Sequence, residues 1–256
     1  MIAFTNDDLY QIILDRLRKD RKGALAPEEF ESFLRQRNMD YFNQQIALDG
    51  VSMLNQESLR PFLEHHSVGT LLQQGSSGRW YVDMTLGVAA NFAHMVSAFT
   101  SVSLTVWTTI IEIDIVSNVE LMDRINNAIT APSVTNPVGF IDDDKFWVYG
   151  PSSGIFVVMS YYVYPEDPYF DYYTDASGNV TYLTDGQAEY TLQAGEVARD
   201  GSVAGAGVTS ASNDLLWDDK DAMNILDMVM TDAGVSQSDQ AVVQTSIVER
   251  QNNARS

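Results

Sequence analysis

The stretch that decides the fold runs from Asn118 to Tyr172 and reads NVELMDRINNAITAPSVTNPVGFIDDDKFWVYGPSSGIFVVMSYYVYPEDPYFDY. It opens with a short charged segment, crosses a loop, and continues into two β-type runs at 146–149 and 155–164. A turn rich in glycine, proline and serine separates the two runs, which predicts a β-hairpin. Pro165 then ends the second strand, because proline cannot donate to a strand ladder.

Composition bounds the classes of function. The chain has 256 residues, 45% of them hydrophobic, and no cysteine. It can therefore bury a substantial core, whereas a disulfide framework and a thiolate metal site are excluded. The formal charge of −20 is uneven, because residues 1–64 contain eight Lys or Arg against eleven Asp or Glu and the remainder is strongly acidic. Sequence-specific binding of nucleic acid in a basic groove is not expected, but an acidic channel would let DNA slide without sticking.

No membrane span is expected. Residues 84–111 contain no Asp, Glu, Lys or Arg, but serine, threonine and asparagine interrupt the apolar residues too often for a helix of about 20 lipid-facing positions. Residues 1–8 lack the basic and apolar regions of a signal peptide. We interpret the uncharged stretch as buried β-structure, and its part from 87 to 99 fits either a short helix or a strand pair.

Helical patterns open and close the chain. Thr5 and Asp8 form a capping-box pattern before an apolar stripe of Leu9, Ile13 and Leu17, which predicts a first helix. A second helix is predicted from Pro27 to about residue 50.

Near the other end, Met223, Leu226 and Met230 give one apolar side of a helix that Gly234 would stop. A second capping-box pattern at Ser236 predicts a final helix with Val242, Val243 and Ile247 on one side.

These patterns predict an α+β fold, with a helical layer from the amino- and carboxyl-terminal helices and a central antiparallel β-domain of sandwich or barrel type. The predicted divisions are an amino-terminal helical segment at 1–78, the β-domain at 79–198, a flexible linker or arm at 199–213, and carboxyl-terminal helices at 214–256 that pack on the amino-terminal ones. Each terminal segment has a single apolar stripe, and two such stripes can cover each other.

The predicted arm is rich in glycine, alanine and serine, which is typical of flexible linkers. Its side chains are too small to offset an ordering cost of about 1–2 kcal/mol per residue, so we expect the arm to reach a neighbouring subunit or a partner. The positions singled out in it are Arg199, Gly201, Gly205, Gly207 and Asn213.

No catalytic, cofactor-binding or metal site is predicted. His65 and His66 have no carboxylate at ligand spacing, so a surface pair is favoured over a metal site. The acidic turn 142–144 and the loop from Asp175 to Asn179 are interpreted as β-turns, because a calcium loop would need a glutamate at position 186, where the chain has glycine.

Glu120 and Arg124 are predicted to form a structural pair. Their spacing of four places them on one face of a helix, and no histidine or metal-ligand cluster lies nearby in sequence. We expect the pair to fix the loop that carries Pro132 and Pro137, and not to act in catalysis.

The order of several short motifs resembles a structural protein of short-tailed phages of gut Bacteroidetes, the crAss-like group. The resemblance covers most of the chain. It rests on the helical pair ending in Asp40-Tyr41-Phe42, the segment Glu120 to Arg124, the strand Trp147 to Pro151, the strand closing in Tyr164-Pro165 with Pro168, and the Leu216-Trp217 helix before Gly234.

The resemblance implies a virion protein at the portal vertex, made in the host bacterial cytoplasm. Its expected role is a ring or head–tail connector subunit of roughly twelve copies that joins portal to tail around the DNA exit channel. The expected partners are other copies of the chain, the portal protein or other tail ring proteins, and passing genomic DNA without sequence-specific binding. The alternatives are a tail-tip or host-binding β-module and, from another class, an uncharacterised hydrolase.

Overall fold

The computed structural model describes residues 4–19, 25–48, 57–70, 72–73, 79–84, 91–101, 110–150, 156–183 and 189–233. Within these ranges the chain has an α+β fold, which confirms the predicted class. The helices are α1 Asn6–Lys19, α2 Pro27–Leu48, α3 Asn118–Asn126 and α4 Asp219–Asp232, with a short 3-10 helix at Arg60–Phe62.

Of the strands that the structure describes, six lie between α2 and α3 and eight between α3 and α4, and the strands after β9 are only two or three residues long. They are β1 Leu63–Thr70, β2 Leu72–Gln73, β3 Trp80–Asp83, β4 Phe92–Ser101, β5 Ile110–Glu112, β6 Asp114–Ile115, β7 Val138–Asp142, β8 Lys145–Tyr149, β9 Phe156–Val163, β10 Tyr172–Thr174, β11 Val180–Tyr182, β12 Tyr190–Thr191, β13 Val197–Ala198 and β14 Gly207–Val208.

The chain divides into two compact units. The terminal unit comprises Met1–Pro61 and Pro165–Ser256, and the central unit comprises Phe62–Tyr164. These boundaries differ from those predicted at 78, 198 and 213. Strands β1 and β2 lie inside the range predicted to be helical, and β10 to β13 belong to the terminal unit together with α1, α2 and α4.

Helix α1 begins as its sequence predicts. The backbone N–H of Thr5 donates to Asp8 Oδ2 at 3.1 Å, and the N–H of Asp8 donates to Thr5 Oγ1 at 3.2 Å. This reciprocal bonding satisfies two donors that a helix start leaves free. Leu9, Ile13 and Leu17 are buried. The predicted capping box and apolar stripe are both confirmed.

Helix α2 packs against α4 and against the residues just before α4. Tyr41 donates its hydroxyl hydrogen to Asp221 Oδ1 at 2.6 Å, and the indole N–H of Trp217 donates to Asn38 Oδ1 at 2.6 Å. All four side chains are buried. Because a buried polar group is costly unless it is hydrogen-bonded, these pairs fix how α2 lies on α4. Gly234 and the helix predicted from Ser236 lie outside the described residues.

The segment 199–213, predicted to be a flexible arm, is instead part of the terminal unit. At its start, Arg199 donates to the carbonyl of Phe170 at 2.7 Å and to the carboxylate of Glu31. At its end, Asn213 and Tyr169 exchange backbone hydrogen bonds of 3.0 and 3.1 Å. Both ends of the segment are therefore held within the same chain.

Strand β14 lies between these two ends and pairs with β12. Strand β14 contributes Val208 to a buried cluster, and it also contains Gly207. Gly201 and Gly205 lie in turns. The flexible-arm prediction is wrong because composition reveals only how much side-chain area the segment can bury. Backbone hydrogen bonds and a buried ion pair also offset the ordering cost. The buried cluster consists of Leu183, Leu192, Ala198 and Val208.

Two sheets form the central unit. One has the order β1-β9-β4-β5 and is antiparallel throughout, and the other has the order β2-β3-β8-β7-β6 and is antiparallel except for the parallel pair β6–β7. The chain passes from the first sheet to the second at Ile113, between β5 and β6. Residues 87–99 are predicted to form either a short helix or a strand pair. Residues 92–99 belong to strand β4, and 87–90 lie outside the described residues.

The hairpin predicted between residues 146–149 and 155–164 is wrong. Strand β8 pairs with β3 and β7, whereas β9 pairs with β1 and β4, so the two strands belong to different sheets. The hairpin of this stretch is β7–β8, which turns at Asp143 with a φ of 50°. After β8, Gly150 has a φ of 99°, and a Cβ there would collide with the backbone of Ser133. Glycine is therefore required where the chain leaves the sheet.

Helix α3 covers one face of the five-stranded sheet. The Ser117 hydroxyl caps the helix by accepting from the N–H of Glu120 at 3.3 Å. Leu121 is the residue of α3 that is buried, so the rest of the helix surface faces away from the core. The cluster under the helix consists of Val116, Leu121, Val138, Phe140 and Trp147.

Candidate functional site

A charged cluster ties α3 to β6 at the edge of the five-stranded sheet. Arg124 Nη2 donates to Glu120 Oε1 at 2.7 Å, one turn earlier on the helix, and Arg124 Nη1 donates to Asp114 Oδ2 on β6. The Glu120–Arg124 pair predicted from spacing is present. Asp114, Glu120 and Arg124 are called the Arg124 cluster below.

The cluster holds one cation between two carboxylates. The hydrogen bond that Arg124 donates to Glu120, and next the one it donates to Asp114, raise the pKa of Arg124 above its ordinary value. Its guanidinium therefore stays charged and offers donors only. Since the Arg124 side chain is 22% exposed and both carboxylates are about half exposed, the cluster positions a helix at the surface.

Sequence reasoning missed Asp114 as the second partner. The alternation of Ile113, Asp114 and Ile115 gave a usable signal, because it places Asp114 on the opposite face from its two apolar neighbours. The spacing of ten residues between Asp114 and Arg124 gave no signal, because the rule for side chains three or four apart applies only within one helix.

A groove of about 490 Å³ lies beside the cluster and shares Asp114 with it. Its walls come from β4, from the β5–β6 segment and from the loop before β7. They combine two carboxylates, two neutral polar side chains and three aliphatic ones. The lining residues are Val96, Ser97, Glu112, Ile113, Asp114, Ile115 and Asn136.

A β-bulge shapes this groove. The register between β4 and β9 shifts between Met95 and Ser97, which leaves Val96 as the extra residue. Met95 is buried, whereas Val96 is 40% exposed. A bulge re-aims a side chain and bends its strand, so it turns an aliphatic side chain toward the groove.

One exposed side of α3 is apolar. Val119 is 75% exposed, Met122 53% and Ile125 40%, and Ile129 just after the helix is 93% exposed. These four residues are called the α3 face below. Exposed large apolar side chains are ordinary when scattered, but grouped ones mark interaction sites.

One imidazole–hydroxyl pair lies on the four-stranded sheet. His65 on β1 and Ser160 on β9 are cross-strand neighbours, with His65 Nδ1 2.8 Å from Ser160 Oγ. Such a pair resembles a nucleophilic dyad, in which a third group normally orients the imidazole. In the described ranges, however, no carboxylate is bonded to the ring of His65. Ser160 lies in a strand paired on both sides, where backbone amides are used by the ladder and are not free for an oxyanion.

The predicted site residues do not form one site. Glu120 and Arg124 meet in the central unit, whereas the positions predicted as an arm, from Arg199 to Asn213, are held in the terminal unit. Among the residues that the structure describes, no group of three His, Asp or Glu is placed to hold a metal ion. In that same part of the chain, no helix is both long enough and apolar enough to cross a membrane.

Comparison with known proteins adds no relative. No protein-family model matches the chain, and no curated protein is significantly similar to it.

Proposed function

We propose that this chain is a structural virion protein of a tailed bacteriophage, a ring or adaptor subunit that joins the portal to the tail and surrounds the DNA exit channel. The observation that carries the proposal is the α3 face, an exposed apolar helix surface held in place by the Arg124 cluster. The order of motifs that resembles the crAss-like phage group supplies the biological context.

The α3 face has the properties of an assembly contact. Its helix is anchored beneath by the buried Leu121 and at the edge by Arg124, so the apolar side chains have a fixed support. Interface cores are enriched in large apolar side chains such as methionine, and a fixed support lowers the entropy lost on binding. An assembly subunit needs such a surface, because a ring closes through contacts between unlike faces of neighbouring copies.

Charge supports the placement around passing DNA. A chain with a formal charge of −20 presents a surface that repels a phosphate backbone. An acidic wall lets genomic DNA move through without strong adsorption, and it offers no basic groove for reading sequence. Partners are then other copies of this chain, the portal protein and other tail ring proteins.

Sedimentation velocity and negative-stain electron microscopy of the purified chain test the proposal. We expect closed rings of roughly twelve copies, consistent with cyclic symmetry. The Met122→Glu variant should lose the rings, because it places a carboxylate in an apolar contact. Leu216→Glu is the matched control, since Leu216 is 54% exposed in the terminal unit, and it should keep them.

Other outcomes would replace the proposal. Discrete trimers would favour a tail-tip or host-binding module. A monomer or dimer that hydrolyses ester substrates, and loses that turnover in the Ser160→Ala variant, would favour a hydrolase built on the His65–Ser160 pair.

A further inference from the structure

We infer that the α3 face binds the carboxyl-terminal segment, residues 236–256, of a second copy of this chain. The inference rests on the proposed ring function and names the contact that would close the ring.

The α3 face concentrates the exposed apolar side chains of the chain. Thirteen large hydrophobic residues are exposed within the described ranges, and five of them lie between Val119 and Val134. On α3 itself Val119, Met122 and Ile125 follow each other at intervals of three, so they line one side of the helix. This spacing suits a partner helix with apolar residues at intervals of three to four.

Charge restricts what can cover this face. Glu120 and Asp123 are exposed on the same helix, and the chain as a whole has a formal charge of −20. Most surfaces of a second copy would therefore be repelled at close approach. A suitable occupant has an apolar stripe and no excess of negative charge.

The segment 236–256 has both properties. The sequence predicts a helix in it, with Val242, Val243 and Ile247 on one side. Arg250 and Arg255 follow this stripe. Two acidic residues, Asp239 and Glu249, balance the two arginines, so the side-chain charge of the segment is zero.

The contact joins unlike surfaces. The segment follows α4 in the chain, whereas α3 belongs to the central unit. When a donor segment and an acceptor face differ, each copy can engage two neighbours, one through each surface. Such a heterologous contact produces a closed ring when the rotation between copies closes.

Disulfide trapping tests this contact directly, because the chain contains no cysteine of its own. Full-length Met122→Cys and Val243→Cys proteins, each with a single cysteine, are mixed and oxidised. A disulfide between the two proteins can only join different copies. We expect a non-reduced band at twice the 28.5 kDa of one chain, with peptide mass spectrometry identifying the mixed linkage between positions 122 and 243.

Two controls make the result specific. Leu216→Cys has a comparably exposed position, and mixed with Val243→Cys it should give no such linkage. Adding Ile247→Glu to the Val243→Cys chain should lower the yield of the 122–243 linkage by about tenfold or more, since a carboxylate would enter the apolar contact.

Several results would overturn the inference. Linkage of Met122→Cys chains to each other in place of the mixed product would indicate a symmetric α3–α3 contact. In a further variant that carries both Met122→Cys and Val243→Cys, linkage only within one chain would place the segment on its own copy. Absence of any 122–243 linkage would also refute it.

Microscopy of the unmodified chain separates this inference from the proposed function. If rings form without the 122–243 linkage, the proposed ring function stands and the proposed contact is refuted. If the linkage forms but the particles never close into rings, the proposed contact stands and the proposed ring function is refuted.

Discussion

The guanidinium of Arg199 donates to the carboxylate of Glu31 at 2.5 Å, although 168 residues separate them in the chain. The Glu31 side chain is 9% exposed and that of Arg199 is 20% exposed. Glu31 also accepts from the N–H of Phe170, and the Arg199 guanidinium lies over the ring of Tyr169 at 4.3 Å. This pair joins the second helix of the chain to the segment that composition alone marks as a linker.

Replacing Arg199 should destabilise the terminal unit strongly. In Arg199→Ala the carboxylate of Glu31 stays buried and loses its main cationic partner, which costs about 3 kcal/mol in the free energy of unfolding. Urea denaturation followed by circular dichroism measures this loss. Arg35→Ala is the matched control, because Arg35 reaches the same carboxylate from a 48% exposed position, and it should cost about 0.5 kcal/mol. Equal losses in the two variants would contradict a buried role for Arg199.

The segment 199–213 should be protected in the isolated chain. The N–H of Arg199 donates to the carbonyl of Tyr172 at 2.9 Å, and the N–H of Gly205 donates to the carbonyl of Leu192 at 2.9 Å. These bonds slow amide exchange and hinder proteases that need an extended backbone. Hydrogen–deuterium exchange at a concentration where the chain is monomeric should show protected amides at 199 and 205. Full exchange within seconds there would instead restore the flexible-arm interpretation.

Arg124→Ala should lower stability moderately and weaken ring assembly. Both partners of Arg124 are about half exposed, so the loss should be about 1 kcal/mol of unfolding free energy. A shift of α3 would follow, and with it a weaker contact through the α3 face. Differential scanning calorimetry and negative-stain microscopy measure the two effects. Lys220→Ala removes one exposed positive charge at the start of α4, in the terminal unit, and controls for net charge.

A different result would reverse this interpretation of Arg124. If the Arg124→Ala protein folded and assembled normally but lost a measurable turnover, the Arg124 cluster would be catalytic.

Tyr172 should give the chain an alkaline-sensitive contribution to stability. Burial, and then its hydrogen bond to Glu28, raise the pKa of Tyr172 to about 12. A group whose pKa is raised on folding contributes stability that is complete below its unfolded pKa of about 10 and is lost as pH rises through about 12. Melting temperatures from pH 9 to 12 should therefore fall less steeply in Tyr172→Phe than in the wild type. Parallel curves would contradict this assignment.

Glu28 supplies the acidic counterpart of the same contact. The hydrogen bond from Tyr172 lowers the pKa of Glu28 below its ordinary value. Its contribution is therefore present above the unfolded pKa near 4.5 and disappears as pH falls through the lowered value. Tyr172→Phe should reduce the loss of stability between pH 5 and pH 3, measured as melting temperature. Glu28→Gln should likewise make the melting temperature less dependent on pH between pH 5 and pH 3. If the pH dependence is unchanged in both variants, Glu28 and Tyr172 are not paired as described.

Local sequence patterns determined the helices and one site pair. Thr5 and Asp8 cap α1, and Glu120 and Arg124 pair on α3, because both patterns involve residues three or four apart on a single helix. Helical geometry alone brings such residues together, so the sequence contains what the prediction requires. The α+β class follows from the same local periodicities.

Only the tertiary structure decided which strands pair. The sequence located strands close to β8 and β9, but it joined them into a hairpin, whereas the structure places them in different sheets. The backbone hydrogen bonds of a strand are the same for any partner, so partner and register are chosen by burial of side chains from distant parts of the chain. The pairs Arg199–Glu31 and Arg124–Asp114 depend on that choice, because their members meet only after the long-range packing has formed.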